Sequence, residues 1–391
     1  MPRTSAMSRR RFLGDTLGAA GTAAIAHFAA AAEPAEKARE SPRDPMLVGG
    51  KACNADPIRV GLIRCDTHGM YYGALMARHE ALLLENPPSV DGEKHYSWQG
   101  GGIHLYFYTS YYDRTEMTVP RVDGFEIVKV WDEHPSAAKA LSRVLCGKPK
   151  VCASFGEVSD DVDLVFIADC NGDGSDHLKL AGPGLVKGVP TFVDKPLAYD
   201  VLGALELIET ANRHKTPLMS MSILRALPQA GLFRSRFAEV GEVQSGAIFI
   251  GDAGMAAQIH AICLAHHLFG SGVQSVESMG RELPDYVHLD YGGKPGRPPK
   301  GVLLNCASGE SPHAAIYASA FGKIGAVHSP PLGDFEFPFG AAEILRRVKT
   351  MVRTGVPQVD CREMVESIAI ATAARLACKT RRRVALNEVM P

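Results

Sequence analysis

The chain lacks the features that mark several common classes of protein. Its 391 residues carry a net charge of −1, with basic clusters only near the two ends, so we expect no nucleic-acid partner. Nine cysteines include no Cys-x-x-Cys pair, and their spacing therefore indicates neither a disulfide framework nor a zinc ribbon. The alanine-rich stretch Leu17–Ala31 is interrupted by glycines and His27 and is too short to span a bilayer comfortably. We expect no other membrane segment.

The N-terminus has the pattern of an export signal. The run Ser8–Leu13 contains three consecutive arginines and precedes the alanine-rich stretch, which ends in small residues. This order predicts a twin-arginine signal peptide over residues 1–32 and a periplasmic or otherwise exported protein. Residues 33–56 have no apolar period and are expected to form a disordered leader.

The pattern of elements divides the rest of the chain into two predicted domains. Between residues 57 and 222 short apolar strands alternate with helices, which predicts a Rossmann-type, doubly wound parallel sheet. From residue 223 to 391 several strands surround one helical stretch, Gly254–Gly270, which predicts an α+β domain with an open, mainly antiparallel sheet. A closing helix is predicted after these strands, with Val365, Ile368, Ala369, Thr372 and Leu376 on one face. The fold class is therefore α/β. The outer face of the open sheet is expected to be covered in a homo-oligomer.

An aromatic insertion interrupts the first domain at residues 87–121. It contains Trp98 and several tyrosines, among them Tyr106 and Tyr111, and so many rings are costly to leave in water. The segment is expected to pack as a hairpin on the domain or in a subunit contact. The alternative is a lid over a sugar-sized ligand.

A lysine stands directly after one of the buried strands. The apolar residues Phe192 and Val193 are followed by Asp194, Lys195 and Pro196, with apolar helices predicted on both sides. Ligands of open α/β sheets bind at the carboxyl ends of the strands. We therefore expect Lys195 to face a cleft; the alternative is an ordinary surface lysine.

The residues around Lys195 resemble the Asp/Glu-Lys-Pro signature of the Gfo/Idh/MocA oxidoreductases, and the resemblance extends from about Ile58 to Val389. The most similar are exported members, which share three segments: Asp173–Leu178, Phe192–Pro196 and Ser222–Arg225. The resemblance implies an exported NAD-dependent oxidoreductase that acts on a small sugar or cyclitol. It also implies that Lys195 is catalytic, lying between nicotinamide and substrate, where it positions or polarises the reacting hydroxyl.

The resemblance further implies a set of cofactor-binding residues that follow the predicted strands. They are Gly61, Arg64, Asp66, Thr67, Gly69, Asp132, Asn171, His177, Asp194 and Lys195. The implied acceptor for the adenosine ribose hydroxyls is Asp132. Because Glu133 follows it and no arginine is adjacent, a 2′-phosphate would be repelled, which favours NAD over NADP. The alternative for Asp132 is a solvated aspartate that starts a turn.

The family's phosphate-binding turn, Gly-x-Gly-x-x-Gly, is altered in this chain. Its three glycine positions are Arg64, Asp66 and Gly69, whereas bare backbone is what lets a pyrophosphate approach a helix N-terminus. A carboxylate about 4 Å from a phosphate oxygen costs about 4 kcal/mol at an effective dielectric constant of about 20, and Arg64 is expected to offset much of it. The alternative is that Asp66 or Thr67 only caps the following helix.

The helical stretch Gly254–Gly270 resembles the family's helix that carries a catalytic histidine. In that register His260 is the acid/base residue, but Ala256 and Cys263 replace the family's aspartates, so the group that sets the tautomer of His260 is not predicted. A metal site is the alternative, since His260, Cys263 and His267 recur at i, i+3 and i+7. We expect no metal, because helical His and Cys are more often core or cleft residues.

The sequence therefore predicts an oxidoreductase with two catalytic residues, Lys195 and His260. The expected substrate contacts are Arg225, His260 and His177, and the alternative for Arg225 and His177 is a structural role. One alternative is a non-catalytic carbohydrate-binding protein that kept the fold, motivated by Arg64 and Asp66 in the phosphate turn. The other is a glycosidase that oxidises and re-reduces its sugar with a tightly held NAD.

Overall fold

The computed structural model describes residues 56–86, 88–92, 108, 115–169, 172–251, 254–280, 284–307, 316–333 and 335–391. The chain from Ala55 to Pro391 forms one compact unit that contains two sheets. The predicted signal peptide, nearly all of the predicted leader and most of the aromatic insertion lie outside the described residues. Those predictions stay predictions.

The first sheet is parallel and has six strands in the order β3-β2-β1-β4-β5-β6. Its strands are β1 Ile58–Ile63, β2 Phe125–Trp131, β3 Lys150–Val151, β4 Leu164–Ile167, β5 Thr191–Val193 and β6 Leu218–Ser220. All four residues of β4 are buried, as expected of a strand covered by helices on both faces. The order reverses between β1 and β4, which is where open sheets of this kind bind ligands.

Helices connect these strands and cover both faces of the parallel sheet. They are α1 Thr67–Met76, α2 Ala81–Glu85, α3 Pro135–Val144, α4 His177–Val186 and α5 Val201–Arg213. The α5 helix begins at a capping aspartate, because the Asp200 carboxylate accepts the Gly203 N–H. Its buried residues recur at Val201, Ala204, Leu207 and Ala211, the spacing of one helical face.

The second sheet has seven strands in the order β12-β11-β7-β10-β9-β8-β13. Its strands are β7 Val243–Phe249, β8 Ser275–Gly280, β9 Pro284–Asp290, β10 Val302–Asn305, β11 Tyr317–Gly322, β12 Ala326–His328 and β13 Val384–Ala385. Of the neighbouring strands described, β7 and β10 pair in parallel and the others are antiparallel. The two sheets together confirm the predicted α/β fold class.

Five more helices lie between and after the strands of the second sheet. They are α6 Ile223–Ala226, α7 Pro228–Ser235, α8 Met255–Phe269, α9 Phe337–Thr354 and α10 Cys361–Thr380. Residues of α10 contact both β8 in the second sheet and α5 beside the first, so this helix joins the two halves of the unit. None of the described helices is long and apolar enough to cross a membrane.

The sequence did not predict α9, although its buried face is regular. Ala341, Ile344, Leu345 and Val348 are buried at helical spacing, while several of the positions between them carry charges. The helix contacts α6 and α1, so its apolar face is covered by elements of both halves of the chain. The period of this helix is therefore that of an ordinary amphipathic helix.

Candidate active site

The carboxyl ends of the parallel strands bring most of the predicted site residues to one edge. Arg64 to Asp66 follow β1, Asp132 follows β2, and Asp194 and Lys195 follow β5. Asn171 lies outside the described residues. Because all six strands run the same way, the residues after them meet at the edge where open α/β sheets bind ligands.

The turn after β1 keeps the backbone of a glycine turn without two of its glycines. Arg64 has a φ of +70°, a left-handed conformation that L residues rarely adopt. A Cβ on Gly69 would lie 2.1 Å from the carbonyl oxygen of Arg64, so only glycine fits there. The same holds for Gly61, where a Cβ would lie 2.3 Å from the Val158 carbonyl oxygen. Both glycines therefore have a packing role.

The Arg64 side chain forms a bridge across the end of β1. Its Nη1 lies 2.7 Å from Glu133 Oε1 and its Nη2 forms an ion pair with Asp176. Glu133 follows β2 and Asp176 precedes α4, on opposite sides of β1 in the sheet. The guanidinium is thus directed to these two carboxylates, and its charge also lowers the pKa of Asp66 from a distance, in line with the expected compensation.

Asp66 occupies the N-cap position of α1 but does not act as a cap. Its side chain makes no capping hydrogen bond, and Asp66 Oδ1 and Thr67 Oγ1 are buried without hydrogen-bond partners among the described residues. The capping alternative is therefore wrong. Burial raises the pKa of Asp66 to about 7, helped by the negative charges of Asp132 and Asp169 and opposed by His68 and Arg64.

Asp132 is more buried than a ribose-binding residue was expected to be. It is 6% exposed, and its two carboxylate oxygens accept backbone N–H groups, Oδ2 from Cys65 at 2.7 Å and Oδ1 from His134 at 2.9 Å. These bonds tie the end of β2 to the turn after β1. Each oxygen retains a second lone pair, so the ribose role of Asp132 stays a prediction.

Lys195 and its neighbours form the centre of the site. Lys195 is 4% exposed and precedes a cis peptide bond to Pro196. Its burial excludes the alternative of an ordinary surface lysine. Asp194 is 1% exposed. Its Oδ1 accepts the Lys195 N–H at 2.8 Å, and its Oδ2 lies 2.5 Å from His68 Nδ1.

His260 reaches the same edge from α8. Its Nδ1 lies 2.6 Å from the hydroxyl of Ser222, which also accepts the Leu224 N–H at 3.2 Å. Burial holds the pKa of His260 well below its ordinary value, and the charges of Lys195 and His68 lower it further. Ser222 is thus the partner of His260 that the sequence did not predict, and the ring is neutral at physiological pH.

The metal alternative on α8 finds no support in the geometry. The candidate ligand atoms of His260, Cys263 and His267 do not all lie within 4.8 Å of one another; within the described residues the group that does is Asp169, Asp176 and His177. The helix turns Cys263 towards a small cavity of about 20 Å³ behind Lys195. Burial raises the pKa of Cys263 to about 11, so the thiol is protonated.

Arg225 lines the same small cavity as Lys195. Its Nη2 lies 2.5 Å from Glu363 Oε2 at the start of α10. This ion pair fastens α6 to α10 below the lysine. A substrate contact from Arg225 stays a prediction, since the guanidinium would have to share its donors with Glu363.

His177 is a structural residue, which corrects the expectation that it touches cofactor or substrate. It is 0% exposed. Its Nδ1 lies 2.8 Å from the Pro196 carbonyl oxygen, and its Nε2 lies 3.3 Å from Asp169 Oδ2. Both partners are acceptors, and although burial opposes the charged ring, Asp169 raises the pKa of His177. The ring therefore supports the turn after Lys195 from below rather than lining the cleft.

The residues at this edge fit a dinucleotide with one electrostatic cost. The N-terminus of α1 has no side-chain cap, and the buried Asp66 and Thr67 oxygens beside it lack partners among the described residues. Open amides at a helix N-terminus bind phosphate. The cost is the Asp66 carboxylate, and its raised pKa means that the group is about half neutral near pH 7.

We predict that NAD binding weakens as the pH rises through the Asp66 pKa of about 7. The protonated carboxyl does not repel the pyrophosphate, whereas the carboxylate does, so each pH unit above 7 lowers affinity by up to about tenfold. Asp66→Asn should bind NAD with little change between about pH 6 and 9. The exposed Asp161, whose left-handed backbone asparagine tolerates, supplies the matched control Asp161→Asn. Calorimetric titrations that show the same pH dependence in Asp66→Asn and wild type would contradict the assignment.

Comparison with known proteins is consistent with this geometry. Residues 101–221 match the profile of GFO_IDH_MocA, the oxidoreductase family with an NAD-binding Rossmann fold. No curated protein matches the chain. The solved structures show the same fold along nearly the whole described chain, as three examples illustrate.

A myo-inositol dehydrogenase from Corynebacterium glutamicum is 17% identical, with a TM-score of 0.62 over 85% of this chain and 99% of that one. A myo-inositol 2-dehydrogenase from Lactobacillus plantarum is 12% identical, with a TM-score of 0.63 over 84% and 99% of the two chains. An oxidoreductase from Agrobacterium radiobacter, solved with NAD+, L-tartaric acid and magnesium, is 12% identical, with a TM-score of 0.60 over 85% and 100%. The family profile and these neighbours support a Gfo/Idh/MocA-type, NAD-binding oxidoreductase fold.

Two residues of the site were missed by sequence reasoning. His68 lies within the altered phosphate turn, where the missing glycines are the stronger signal, and Ser222 belongs to a family-like segment without a role of its own. Neither carries a signal in sequence spacing, because their partners are Asp194 and His260, distant in the chain. The roles of His68 and Ser222 become visible only in the structure, where the ends of the parallel strands lie side by side.

Proposed function

We propose that this protein is an NAD-dependent oxidoreductase of the Gfo/Idh/MocA type that oxidises or reduces a secondary alcohol of a cyclitol or sugar. The observation that carries the proposal is the buried Lys195 at the end of β5, beside Asp194, His68 and the neutral His260. The bound cofactor would supply the hydride acceptor or donor. The residues of the chain would bind the alcohol, exclude water from it and move its proton.

The cofactor proposed is NAD rather than NADP. Carboxylates of Asp132 and Glu133 stand at the end of β2, and Glu133 holds Arg64 in an ion pair. A 2′-phosphate at this position would meet the carboxylate of Asp132, whereas Arg64 compensates the charge of Glu133, so the preference for NAD rests on Asp132. Competition between NAD+ and NADP+ in a calorimetric titration tests the preference.

The substrate class is proposed from the polar character of the site and from the neighbours. Lys195, His260 and His68 offer several hydrogen-bonding groups within one cleft, which suits a polyhydroxylated ring. Two of the three solved structures described above are myo-inositol dehydrogenases by name. An exported location by the twin-arginine route and a homo-oligomeric state belong to the same proposal, and fractionation of the producing cells and sedimentation of the processed chain test them.

The direct test uses the processed protein and unmodified ligands. We expect heat on titration with NAD+ and NADH, and turnover of at least one inositol or hexose followed by the absorbance of the reduced nicotinamide. Absence of heat with both coenzyme forms, together with no nucleotide in a mass spectrum of the freshly denatured protein, would overturn the proposal. Turnover of an aryl glycoside without added cofactor would favour the glycosidase alternative instead.

The non-catalytic carbohydrate-binding protein remains a second candidate because of Arg64. Its ion pairs with Glu133 and Asp176 cross the end of β1, near the helix N-terminus that would receive a pyrophosphate. If Arg64 keeps both ion pairs, its side chain obstructs the binding of the pyrophosphate. If the guanidinium moves to the cofactor, Arg64 becomes a phosphate ligand.

We predict that Arg64→Gly weakens NAD binding by about tenfold, about 1.4 kcal/mol, although it restores the glycine of the family turn. Removing the guanidinium leaves Glu133 and Asp176 uncompensated, and their charges repel the pyrophosphate. Neutralising both in Arg64→Gly/Glu133→Gln/Asp176→Asn should recover most of the loss. Dissociation constants from calorimetry decide the matter. Tighter binding by Arg64→Gly would show that Arg64 obstructs the turn, as the second candidate requires.

A further inference from the structure

The strand ends hold a carboxylate–histidine pair whose histidine, His68, was given no role by the family resemblance. His68, in the first turn of α1, directs its Nδ1 at Asp194 Oδ2 over 2.5 Å. Asp194 is almost fully buried, and its other oxygen accepts the Lys195 N–H. One carboxylate therefore anchors both the histidine and the backbone of the lysine.

The carboxylate fixes which nitrogen of His68 exchanges a proton. A carboxylate oxygen only accepts hydrogen bonds, so the Nδ1 facing it carries hydrogen. In the neutral ring Nε2 is then the basic atom, and the negative charge of Asp194 stabilises the imidazolium that forms when Nε2 is protonated. This is the arrangement of an oriented general base.

His260 has a weaker arrangement for the same task. Its Nδ1 faces a hydroxyl, that of Ser222, rather than a carboxylate, and Ala256 stands where the family resemblance placed an orienting aspartate. Burial and the neighbouring Lys195 charge both oppose protonation of its ring. A neutral His260 can donate a hydrogen bond to substrate or accept one from it, but it is a poor proton acceptor.

We propose that His68, oriented by Asp194, is the general acid/base of this site and that His260 positions the substrate. The inference rests on the proposed oxidoreductase function. In the oxidation direction the hydroxyl proton passes to His68 Nε2, and the carbinol hydrogen leaves with two electrons as hydride to NAD+, giving a ketone and NADH. The imidazolium then returns its proton to solvent. Reduction runs the same steps in reverse.

His68, Lys195 and His260 lie near enough to one another to share the proposed roles. The charge of His68 lowers the pKa of both His260 and Asp66, so the His68 ring lies within electrostatic reach of the phosphate turn and of His260. Lys195 lies next to Asp194 in the chain and also acts on His260. The three groups are therefore carried by different elements, α1, the end of β5 and α8, and interact electrostatically at one edge of the sheet.

Two matched variants, His68→Gln and His260→Gln, test the assignment. We expect His68→Gln to lower kcat by about 100-fold and to remove the acidic limb of its pH profile, with NAD affinity within about threefold of wild type by calorimetry. His260→Gln should raise KM and keep that limb. Imidazole added to His68→Ala should restore part of kcat, which a purely structural role of His68 would not allow. Loss of the limb in His260→Gln alone would overturn the proposal.

A readout without turnover separates this inference from the proposed function. In nitrogen NMR spectra of the coenzyme-free protein, His68 should carry hydrogen on Nδ1 when neutral, and its pKa should fall in Asp194→Asn because the stabilising charge is gone. A neutral His68 protonated on Nε2 would overturn the pair. Failure of the proposed function appears instead as wild-type protein that neither binds NAD nor oxidises any polyol.

Discussion

Lys195→Met is expected to lower kcat by about 10²- to 10⁴-fold, the range for loss of a group that acts on the reacting hydroxyl. Methionine keeps the unbranched stem in a position that is 4% exposed and removes only the ammonium group. The fold should therefore persist. Steady-state kinetics with NAD+ and the best polyol measure the effect, and calorimetry shows whether NAD affinity is retained.

The Lys195 variant has a second expected result that needs no turnover. The Lys195 charge is the second cause, after burial, that lowers the pKa of His260. In Lys195→Met the His260 pKa should rise and yet remain below its ordinary value, because burial still disfavours the imidazolium. Lys187→Met, which removes a surface ion pair with Asp160, is the control and should change neither property. A Lys195 variant with more than about a tenth of the wild-type kcat would exclude a catalytic role for the ammonium group.

The fold was largely predictable because, in each half of the chain, the pattern of apolar residues follows from how many faces of the sheet are covered. Strands of the first sheet are covered on both faces, so β1 and β4 read as nearly continuous apolar runs. In the second sheet, burial alternates along β10, the signature of a sheet with one open face. The short β3 and the helix α9 escaped, because two residues carry no period and charged residues separated the apolar positions of α9.

The candidate site was predictable only where one residue carries its own signal. A lysine after a buried strand indicates its own position, and Lys195 is indeed at the strand ends. The roles of Arg64 and His177 were not predictable, since they depend on tertiary contacts with Glu133, Asp176 and Asp169. Tertiary structure decides which charges on different elements form pairs, so the spacing of residues in the sequence does not predict these pairs.

The site lacks a carboxylate that the family resemblance expects at one position but has a carboxylate beside a histidine at another. The α8 helix carries Ala256 where the family resemblance expects an aspartate, but a carboxylate reaches a histidine in the cleft through Asp194 and His68. Likewise Asp66 adds a charge at the phosphate turn, and burial raises its pKa to about 7 so that the charge is partly withdrawn. Under the proposed function, both arrangements would meet the electrostatic requirements of the chemistry with different residues.

His177→Phe is expected to lower the free energy of unfolding by about 3–5 kcal/mol, the cost of leaving one partner of a buried ion pair alone. The variant removes the hydrogen bond from the ring to the Pro196 carbonyl and leaves Asp169, which is 8% exposed, without its cation. Burial opposes the charged ring, but the hydrogen bond and charge of Asp169 prevail and raise the pKa of His177. Urea denaturation at about pH 6, below the ordinary histidine pKa, measures the loss, and exposed His214→Phe is the control.

The pH dependence of this loss follows from the two shifted pKa values. The His177 pKa is raised, so its stabilising effect is complete below the ordinary histidine pKa and disappears as the pH rises through the folded value. Burial opposes the charged form of Asp169, but the hydrogen bond and charge of His177 prevail and lower its pKa. Its contribution therefore disappears as the pH falls through the folded value. The difference between wild type and His177→Phe should be largest between about pH 4 and 6.5. Adding Asp169→Asn should recover part of the loss, because it removes the unpaired charge, and an unchanged urea midpoint in His177→Phe would contradict the buried ion pair.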